Sequence, residues 1–211
     1  MGDISQEFST SPLEQPINNG LGLQVEQKTL YHGTGISGIQ QFNKAEEYTV
    51  GTGVYFTSDE HSAEGYARRR AKRVEGAQPL IYEASVESVK LADFRNDDST
   101  TNLLTGFIPY LEKIKKSLES SKDINEFTKI RYLYTIIPEA INKIQSGTVN
   151  AGRLKEVTDH LSRQFSEYLE SIGYDGLITA EGGEGDEVGQ HETWLIFDPQ
   201  KVSIKEERKV T

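Results

Sequence analysis

The sequence predicts an α+β fold in which strands at both ends of the chain enclose a block of helices. Short runs of β-branched and aromatic residues occur before residue 90 and after residue 173. Between these runs, apolar residues recur at three- and four-residue spacing, which is typical of amphipathic helices. Because strands, helices and strands follow one another in blocks, antiparallel sheets with a helical insertion are favoured.

The N-terminal part is predicted to be a flexible tail followed by the start of the domain. Residues 1–27 are rich in Ser, Gln, Asn, Gly and Pro and show little periodicity. The globular domain is therefore expected over residues 28–211. Its first elements are strands at 29–31 and 51–57, then a helix from an N-cap at Ser58 to about Val74.

The remaining elements follow from composition and periodicity. A strand is expected at residues 79–89, and the helical insertion at about 100–172. Strands are then expected at Leu177–Ile178 and Trp194–Phe197, with a weaker one at Val202–Lys205.

Composition excludes several classes of function. The 211 residues are enough for one domain with its own core, and a net charge of −10 disfavours broad, non-specific nucleic-acid binding. With no cysteine, disulfides, thiolate nucleophiles and cysteine-ligated zinc are excluded, and no histidine–carboxylate spacing indicates another metal site. No signal peptide and no apolar run of about 18 residues is present, so we expect a cytoplasmic protein that does not enter a membrane.

Residues 31–34, Tyr-His-Gly-Thr, combine groups that suit a sugar and an amide. A neutral His32 can donate to or accept from a sugar hydroxyl, and the backbone of Gly33 offers both a donor and an acceptor to a carboxamide. The alternative is that His32 only satisfies a turn.

Tyr55 and Tyr66 are candidates for binding a flat, positively charged ring. Tyr55 lies in a glycine-bounded aromatic strand, and Tyr66 lies on the helix that follows. Two aromatic faces can hold such a ring between them. The alternative for both residues is an ordinary place in the core.

These motifs resemble the ADP-ribosyltransferase superfamily, in its His-Tyr-Glu branch typified by poly(ADP-ribose) polymerases and diphtheria toxin. The similar segments are His32-Gly33-Thr34, Gly53-Val54-Tyr55-Phe56 and Ser62-Ala63 with Tyr66. Two later segments, residues 173–178 (GYDGLI) and 194–200 (WLIFDPQ), are closer to bacterial and phage ADP-ribosyltransferases of the polyvalent-protein type. The resemblance covers about residues 29–90 and 173–205, and it implies a split β-sandwich of two antiparallel sheets.

The resemblance also implies an activity and residue roles. The protein would transfer a single ADP-ribose from NAD to a macromolecular acceptor, protein or nucleic acid, and release nicotinamide. His32 would bond a ribose hydroxyl, and Gly33 would hold the nicotinamide amide, with Thr34 in the same motif. Tyr55 and Tyr66 would enclose the ring. Ser62 would contact the amide, although the register from Tyr66 places Ala63 at that position.

The catalytic acid is the position at which the sequence departs from the branch. A carboxylate there stabilises the positive charge that develops on the nicotinamide ribose. In the branch a glutamate immediately precedes the last apolar strand, whereas here Thr193 does and Glu192 comes one residue earlier. Strand neighbours point to opposite faces, so a bulge would be needed to bring Glu192 into the site. We expect Glu192 to be the acid, with Thr193 at the register position.

Two other functions stay open at this stage. A catalytically silent module that binds NAD or ADP-ribose would explain Thr193. An enzyme similar to RNA 2′-phosphotransferases would share the fold, but the acidic residues before the last strand disfavour phosphate binding. The resemblance to bacterial and phage proteins also suggests an effector or toxin, which could be delivered into another cell.

Two charged segments lie close to the motifs, one acidic and one basic. The loop at residues 181–190 holds four glycines and four acids. Its place before the last strand suggests proximity to the acceptor, and a solvated turn is the alternative. The basic residues between Arg68 and Arg73 spread around a helix, so a solvated face is expected. The alternative is that one of them meets the NAD pyrophosphate or a nucleic-acid acceptor.

Overall fold

The structure, a computed structural model, describes residues 22–45, 50–121, 124–182, 188 and 190–210. Its strands are β1 (Gly22–Thr34), β2 (Val54–Thr57), β3 (Leu80–Phe94), β4 (Gly176–Glu181), β5 (His191–Ile196) and β6 (Val202–Lys209). Its α-helices are α1 (Glu60–Ala71), α2 (Asp97–Ser120), α3 (Glu126–Arg131), α4 (Ile137–Gln145), α5 (Lys155–Thr158) and α6 (Ser162–Ser171). Strands, helices and strands thus follow one another as predicted.

The sheet closes on itself rather than forming two layers. Its strand order is β1-β2-β5-β4-β3-β6, and β1 also pairs with β3, which completes a ring of five strands. The pairing of β1 with β3 runs from Gly22↔Ala92 to Thr34↔Leu80, and β3 pairs with β4 in parallel. The mixed fold is confirmed, but the expectation of two antiparallel sheets is corrected to one closed sheet. Closure is possible because the fifteen-residue β3 is long enough to pair with β1, β4 and β6.

Two apolar clusters lie on the two sides of this sheet. One fills the interior of the barrel with side chains from its strands and includes Leu30, Phe56, Tyr82, Ile178 and Trp194. The other lies between the outer face of the sheet and the helical insertion. Alternate residues of each strand point to opposite faces, so every barrel strand contributes to the interior with half of its side chains.

The helical insertion covers the outer face through aromatic residues. Phe107 of α2 and Phe165 of α6 are fully buried and pack edge to face at 5.1 Å. Phe165 also contacts Phe94, at the end of β3. A π-helical turn, Tyr132–Ile136, joins α3 to α4. Among the described residues, no helix is both long and apolar enough to cross a membrane.

The first strand begins earlier than the sequence indicates. Residues 22–27, assigned above to the tail, belong to β1 and pair with β3. Their polar composition fits a strand whose side chains are mostly exposed there, with only Val25 buried. Residues 1–21 lie outside the described residues.

Helix α1 begins one residue later than expected, with Asp59 as its N-cap instead of Ser58. The Asp59 carboxylate accepts hydrogen bonds from the backbone N–H of Ser62 at 2.8 Å and from its hydroxyl at 2.5 Å. The hydrogen bond from the Ser62 hydroxyl lowers the pKa of Asp59, which keeps the cap charged at the positive end of the helix.

Candidate functional site

Strand β5 separates the candidate site residues onto two faces. Its pairing with β4 is continuous from Glu181↔His191 to Gly176↔Ile196. Trp194 and Ile196 belong to the barrel interior, whereas Leu195 belongs to the outer cluster. By alternation, His191 and Thr193 point outward with Leu195, and Glu192 points inward with Trp194.

The neighbouring strands bring Tyr55 and Glu181 to the outer face. Tyr55 of β2 lies directly opposite Leu195, and Glu181 of β4 lies directly opposite His191. Residues that are directly opposite in an antiparallel pair point to the same side. The outer face therefore carries His191, Thr193 and Glu181 at the start of β5, with Tyr55 on the same face opposite Leu195, nearer the end of β5.

Helix α1 adds Tyr66 to this face, because Gly33 lets it approach the sheet. A β-carbon on Gly33 would lie 2.0 Å from the carbonyl oxygen of Ala63 and 2.8 Å from the nitrogen of Ala67. Only a residue without a side chain fits there. The contact places the Tyr66 hydroxyl 3.1 Å from Nε2 of His191, while the Arg69 guanidinium lies 5.6 Å from the Tyr66 ring.

A chain of hydrogen bonds links the outer-face residues. Nε2 of His191 lies 3.1 Å from the Tyr66 hydroxyl and 3.5 Å from Oγ1 of Thr193. The Thr193 hydroxyl donates to Oε2 of Glu181 at 2.9 Å. His191 and Thr193 are buried, whereas Tyr66 and Glu181 are partly exposed. A buried polar pair is thus flanked by an aromatic ring and a carboxylate that solvent can reach.

Tyr55 is held in place by the backbone before its own strand. Its hydroxyl donates to the carbonyl oxygen of Gly51 at 2.7 Å. Burial, reinforced by the nearby Glu181 carboxylate, raises the pKa of Tyr55 well above its usual value. Tyr55 is therefore a neutral phenol with a partly exposed ring.

His32 lies on the other side of the sheet, facing the barrel interior. It is paired across the sheet with Tyr82, an interior residue, and its ring makes edge contacts with Phe42 and Phe56. Its Nδ1 donates to the carbonyl oxygen of Tyr55 at 2.8 Å, because a carbonyl can only accept. Burial lowers the pKa of His32, so the ring is neutral and its Nε2 is an acceptor.

Glu192 also points inward, and its carboxylate is bound by neighbouring side chains. Arg95 donates to Oε1 at 2.6 Å, while Ser58 and the Trp194 indole donate to Oε2 at 3.2 and 3.4 Å. Partial burial opposes ionisation, but these donors, Arg95 foremost, hold the pKa of Glu192 below its usual range. The continuous pairing of β5 contradicts the bulge that would have turned Glu192 to the tyrosine face.

The other predicted residues have structural partners. Ser62 is buried and its hydroxyl is bound to the Asp59 cap, not directed outward. Thr34 is buried as well, and its hydroxyl accepts from the backbone N–H of Ile36 at 3.3 Å. Of the acids expected near the acceptor, Glu184, Asp186 and Glu187 lie outside the described residues. In the basic segment, Arg68 pairs with Glu64 at 3.6 Å near the surface.

The sequence indicated no part in NAD binding or catalysis for two residues that now matter, although His191 adjoins the loop expected near the acceptor. His191 is the centre of the outer-face chain, and Arg95 binds both Glu192 and Asp93. Period-two alternation along His191-Glu192-Thr193-Trp194 was the available signal for His191, since it places His191 on the face of Thr193. Nothing local in the sequence indicates Arg95, which lies 97 residues from its partner Glu192.

A model of the family described as ADP-ribosyltransferase in polyvalent proteins matches residues 24–209. The chain belongs to this family. The predicted resemblance to ADP-ribosyltransferases is confirmed, and the match extends through the helical insertion, which the motifs alone did not cover. Membership in an ADP-ribosyltransferase family implies NAD as the substrate. Within the described parts of this transferase domain, no three His, Asp or Glu side chains are grouped to hold a metal ion.

Among solved structures, the fold is similar to a chain in the crystal structure of the M. tuberculosis MbcT-MbcA toxin-antitoxin complex. The TM-score is 0.44 with 9% sequence identity, over 91% of this chain and 88% of that chain. No curated protein sequence matches the transferase domain.

Proposed function

We propose that the domain transfers a single ADP-ribose from NAD to a macromolecular acceptor and releases nicotinamide. The family match over residues 24–209 carries this proposal. The outer face adds support, since it combines two tyrosines with a hydrogen-bonded group of polar side chains. The acceptor is a protein or a nucleic acid, and an effector or toxin acting in a bacterial or phage setting is the biological role we favour.

The nicotinamide ring is proposed to bind beside Tyr55 and Tyr66. Tyr55 has a fixed ring because its hydroxyl is bonded to Gly51, and Tyr66 is fixed by His191. Fixed aromatic rings bind a flat cation with little loss of side-chain entropy. The backbone of Gly33 is proposed to hold the carboxamide. Thr34 and Ser62 are proposed to support the structure around the site and not to contact NAD through their hydroxyls, since both hydroxyls already have partners.

We propose that His32 acts on the site by positioning the strand that carries Tyr55. The ring of His32 faces Phe42 and Phe56 in the barrel interior, so this orientation does not support the expected bond from its Nε2 to a ribose hydroxyl. The hydrogen bond from Nδ1 to the Tyr55 carbonyl fixes the tautomer in which Nε2 is an acceptor. The same bond couples the orientation of the imidazole to the strand that carries Tyr55.

The decisive experiment incubates the purified protein with labelled NAD, with and without cell extract. Wild-type protein is expected to release nicotinamide and to label a macromolecule. Tyr66→Ala should weaken NAD binding about tenfold or more, since stacking on an aromatic side chain contributes about 1–3 kcal/mol. Tyr134→Ala is the matched control, because Tyr134 is 77% exposed on the helical insertion.

Thr193 favours one second candidate, a silent module that binds NAD or ADP-ribose. It occupies the position expected for the acid, and its hydroxyl is engaged with Glu181. NAD binding by the wild-type protein without nicotinamide release, in the presence of extract, would support this module and refute the transferase.

A further inference from the structure

We propose that Glu181 supplies the carboxylate that stabilises the nicotinamide ribose during transfer. This inference rests on the proposed transferase function and assigns its acid to β4 instead of β5. In the branch the acid belongs to the last apolar strand, at the position where this chain has Thr193. A carboxylate supplied by β4 can do the same task, so Thr193 at that position is compatible with catalysis.

The faces of the sheet support Glu181 over Glu192. Glu181 is directly opposite His191, so it shares the outer face with Thr193 and, one strand further, with Tyr55. Glu192 is opposite Ala180 and points to the barrel interior. Of these two glutamates, it is Glu181 that lies on the side carrying both proposed ring-binding tyrosines.

Hydrogen bonding places the Glu181 carboxylate beside the expected acid position. Its Oε2 accepts from the hydroxyl of Thr193 at 2.9 Å. Thr193 is only 4% exposed, so it can fix the carboxylate while remaining beneath it. The negative charge of Glu181 also helps to raise the pKa of Tyr55, which is consistent with a carboxylate near the Tyr55 ring.

The two glutamates also differ in how far their charges are already neutralised. Glu192 forms a 2.6 Å ion pair with Arg95, which moreover donates to Asp93. The partner of Glu181 on Thr193 is a neutral hydroxyl. A carboxylate paired with a guanidinium stabilises a developing cation less than one bonded to a hydroxyl, because the guanidinium offsets its charge.

The reaction step follows from this placement. The bond between C1′ of the nicotinamide ribose and the pyridinium nitrogen breaks, and its electron pair goes to that nitrogen, which becomes neutral. The positive charge that develops on C1′ and the ring oxygen is stabilised by the Glu181 carboxylate, which accepts a hydrogen bond from the ribose 2′-hydroxyl. The acceptor nucleophile then bonds to C1′ and loses its proton to solvent.

The test compares Glu181→Gln with Glu192→Gln in the full chain, using NAD as substrate and nicotinamide release as readout. Loss of an electrostatic partner of this kind lowers turnover by about 10²–10³-fold. We expect that loss in Glu181→Gln, with the dissociation constant for NAD changed less than about threefold. Glu192→Gln should retain release within about threefold of wild type. Thermal unfolding of both variants separates catalytic loss from unfolding.

Each other result is informative. Full release by Glu181→Gln, or equal losses in both variants, would overturn the assignment of Glu181 and leave the proposed transferase intact. Absence of release by wild-type protein in the presence of cell extract would refute the transferase, and this inference with it. Should Glu181→Gln fail to fold, Glu181→Asp replaces it, since the charge is kept but withdrawn by one methylene. Retained NAD binding with lost release then supports the assignment, and undiminished release overturns it.

Discussion

The two faces of β5 differ in what they offer a ligand. The outer face presents His191 and Thr193, linked to the partly exposed Tyr66 and Glu181. The inner face presents Glu192, fixed by Arg95, Ser58 and Trp194. Adjacent residues of one strand thus belong to two different groups: a hydrogen-bonded group on the outer face, and an ion-paired group on the inner face in which Glu192 is 36% exposed. A shift of one residue in a motif therefore exchanges these two surroundings.

The difference assigns separate tasks to the two acids. An acid on the outer face can approach a substrate that binds at the tyrosines. An acid on the inner face, paired with Arg95, joins β5 to the end of β3. Four variants distinguish these tasks, and they follow from the largest expected effect to the smallest.

Gly33→Ala tests whether close packing of α1 builds the outer face. Its β-carbon would lie 2.0 Å from the Ala63 carbonyl oxygen, so the helix carrying Tyr66 must move. Overpacking of this kind costs about 3 kcal/mol in the free energy of unfolding, measured by urea denaturation. Gly152→Ala is the control, since a β-carbon there meets no atom closer than 3.8 Å. Equal stability of the two variants would contradict the close contact.

Thr193→Val removes the hydroxyl that fixes Glu181 while keeping the size of the side chain. We expect a loss of about 1–2 kcal/mol in stability, because one buried hydrogen bond is lost, and about tenfold slower nicotinamide release from a less ordered carboxylate. Thr193→Ser retains the hydroxyl and should preserve release. If Thr193→Val released nicotinamide as fast as Thr193→Ser, the Thr193 hydroxyl would not be needed to position Glu181.

His32→Gln tests the partly buried, neutral imidazole of the inner face. Burial lowers the pKa of His32 in the folded protein, so below its ordinary value of about 6.5 the unfolded chain binds this proton first. The free energy of unfolding of the wild type should therefore fall as pH decreases below about 6.5, through this group. In His32→Gln that contribution is absent. Urea denaturation at several pH values around 6.5 should show that the difference in the free energy of unfolding between the two proteins shrinks as the pH falls. A difference that stays constant with pH would contradict this expectation.

Arg95→Gln should have the smallest effect. The Arg95 side chain is 34% exposed, and its partners Glu192 and Asp93 are 36% and 20% exposed, so solvent screens the Arg95 charge. Its loss should change stability by less than about 1 kcal/mol, and nicotinamide release should remain. Arg153→Gln, which breaks the exposed pair with Glu156, is the reference for a surface effect. If Arg95→Gln lost nicotinamide release while Arg153→Gln kept it, the inner-face pair of Arg95 and Glu192 would have a part in catalysis.

Several features were predictable because they depend on neighbours in the sequence. The helical insertion and the flanking strands follow from local periodicity, and the motifs around His32, Tyr55 and Tyr66 indicated the family. The start of β1 at Gly22 was missed, since residues 22–27 are stabilised by pairing with β3 and not by their own composition. The cap of α1 was missed by one residue because Ser58 and Asp59 are both good N-cap residues.

The sequence by itself determined the order of strands and helices and the family. It also showed that Glu181 and Glu192 come shortly before the last apolar strand. The tertiary structure decided that the sheet closes through β1 and β3, and that Glu181 shares a face with Tyr55 while Glu192 does not. The physical reason is that both depend on the register between strands far apart in the chain. Local composition does not specify that register, whereas the packing of an interior and an outer apolar cluster does.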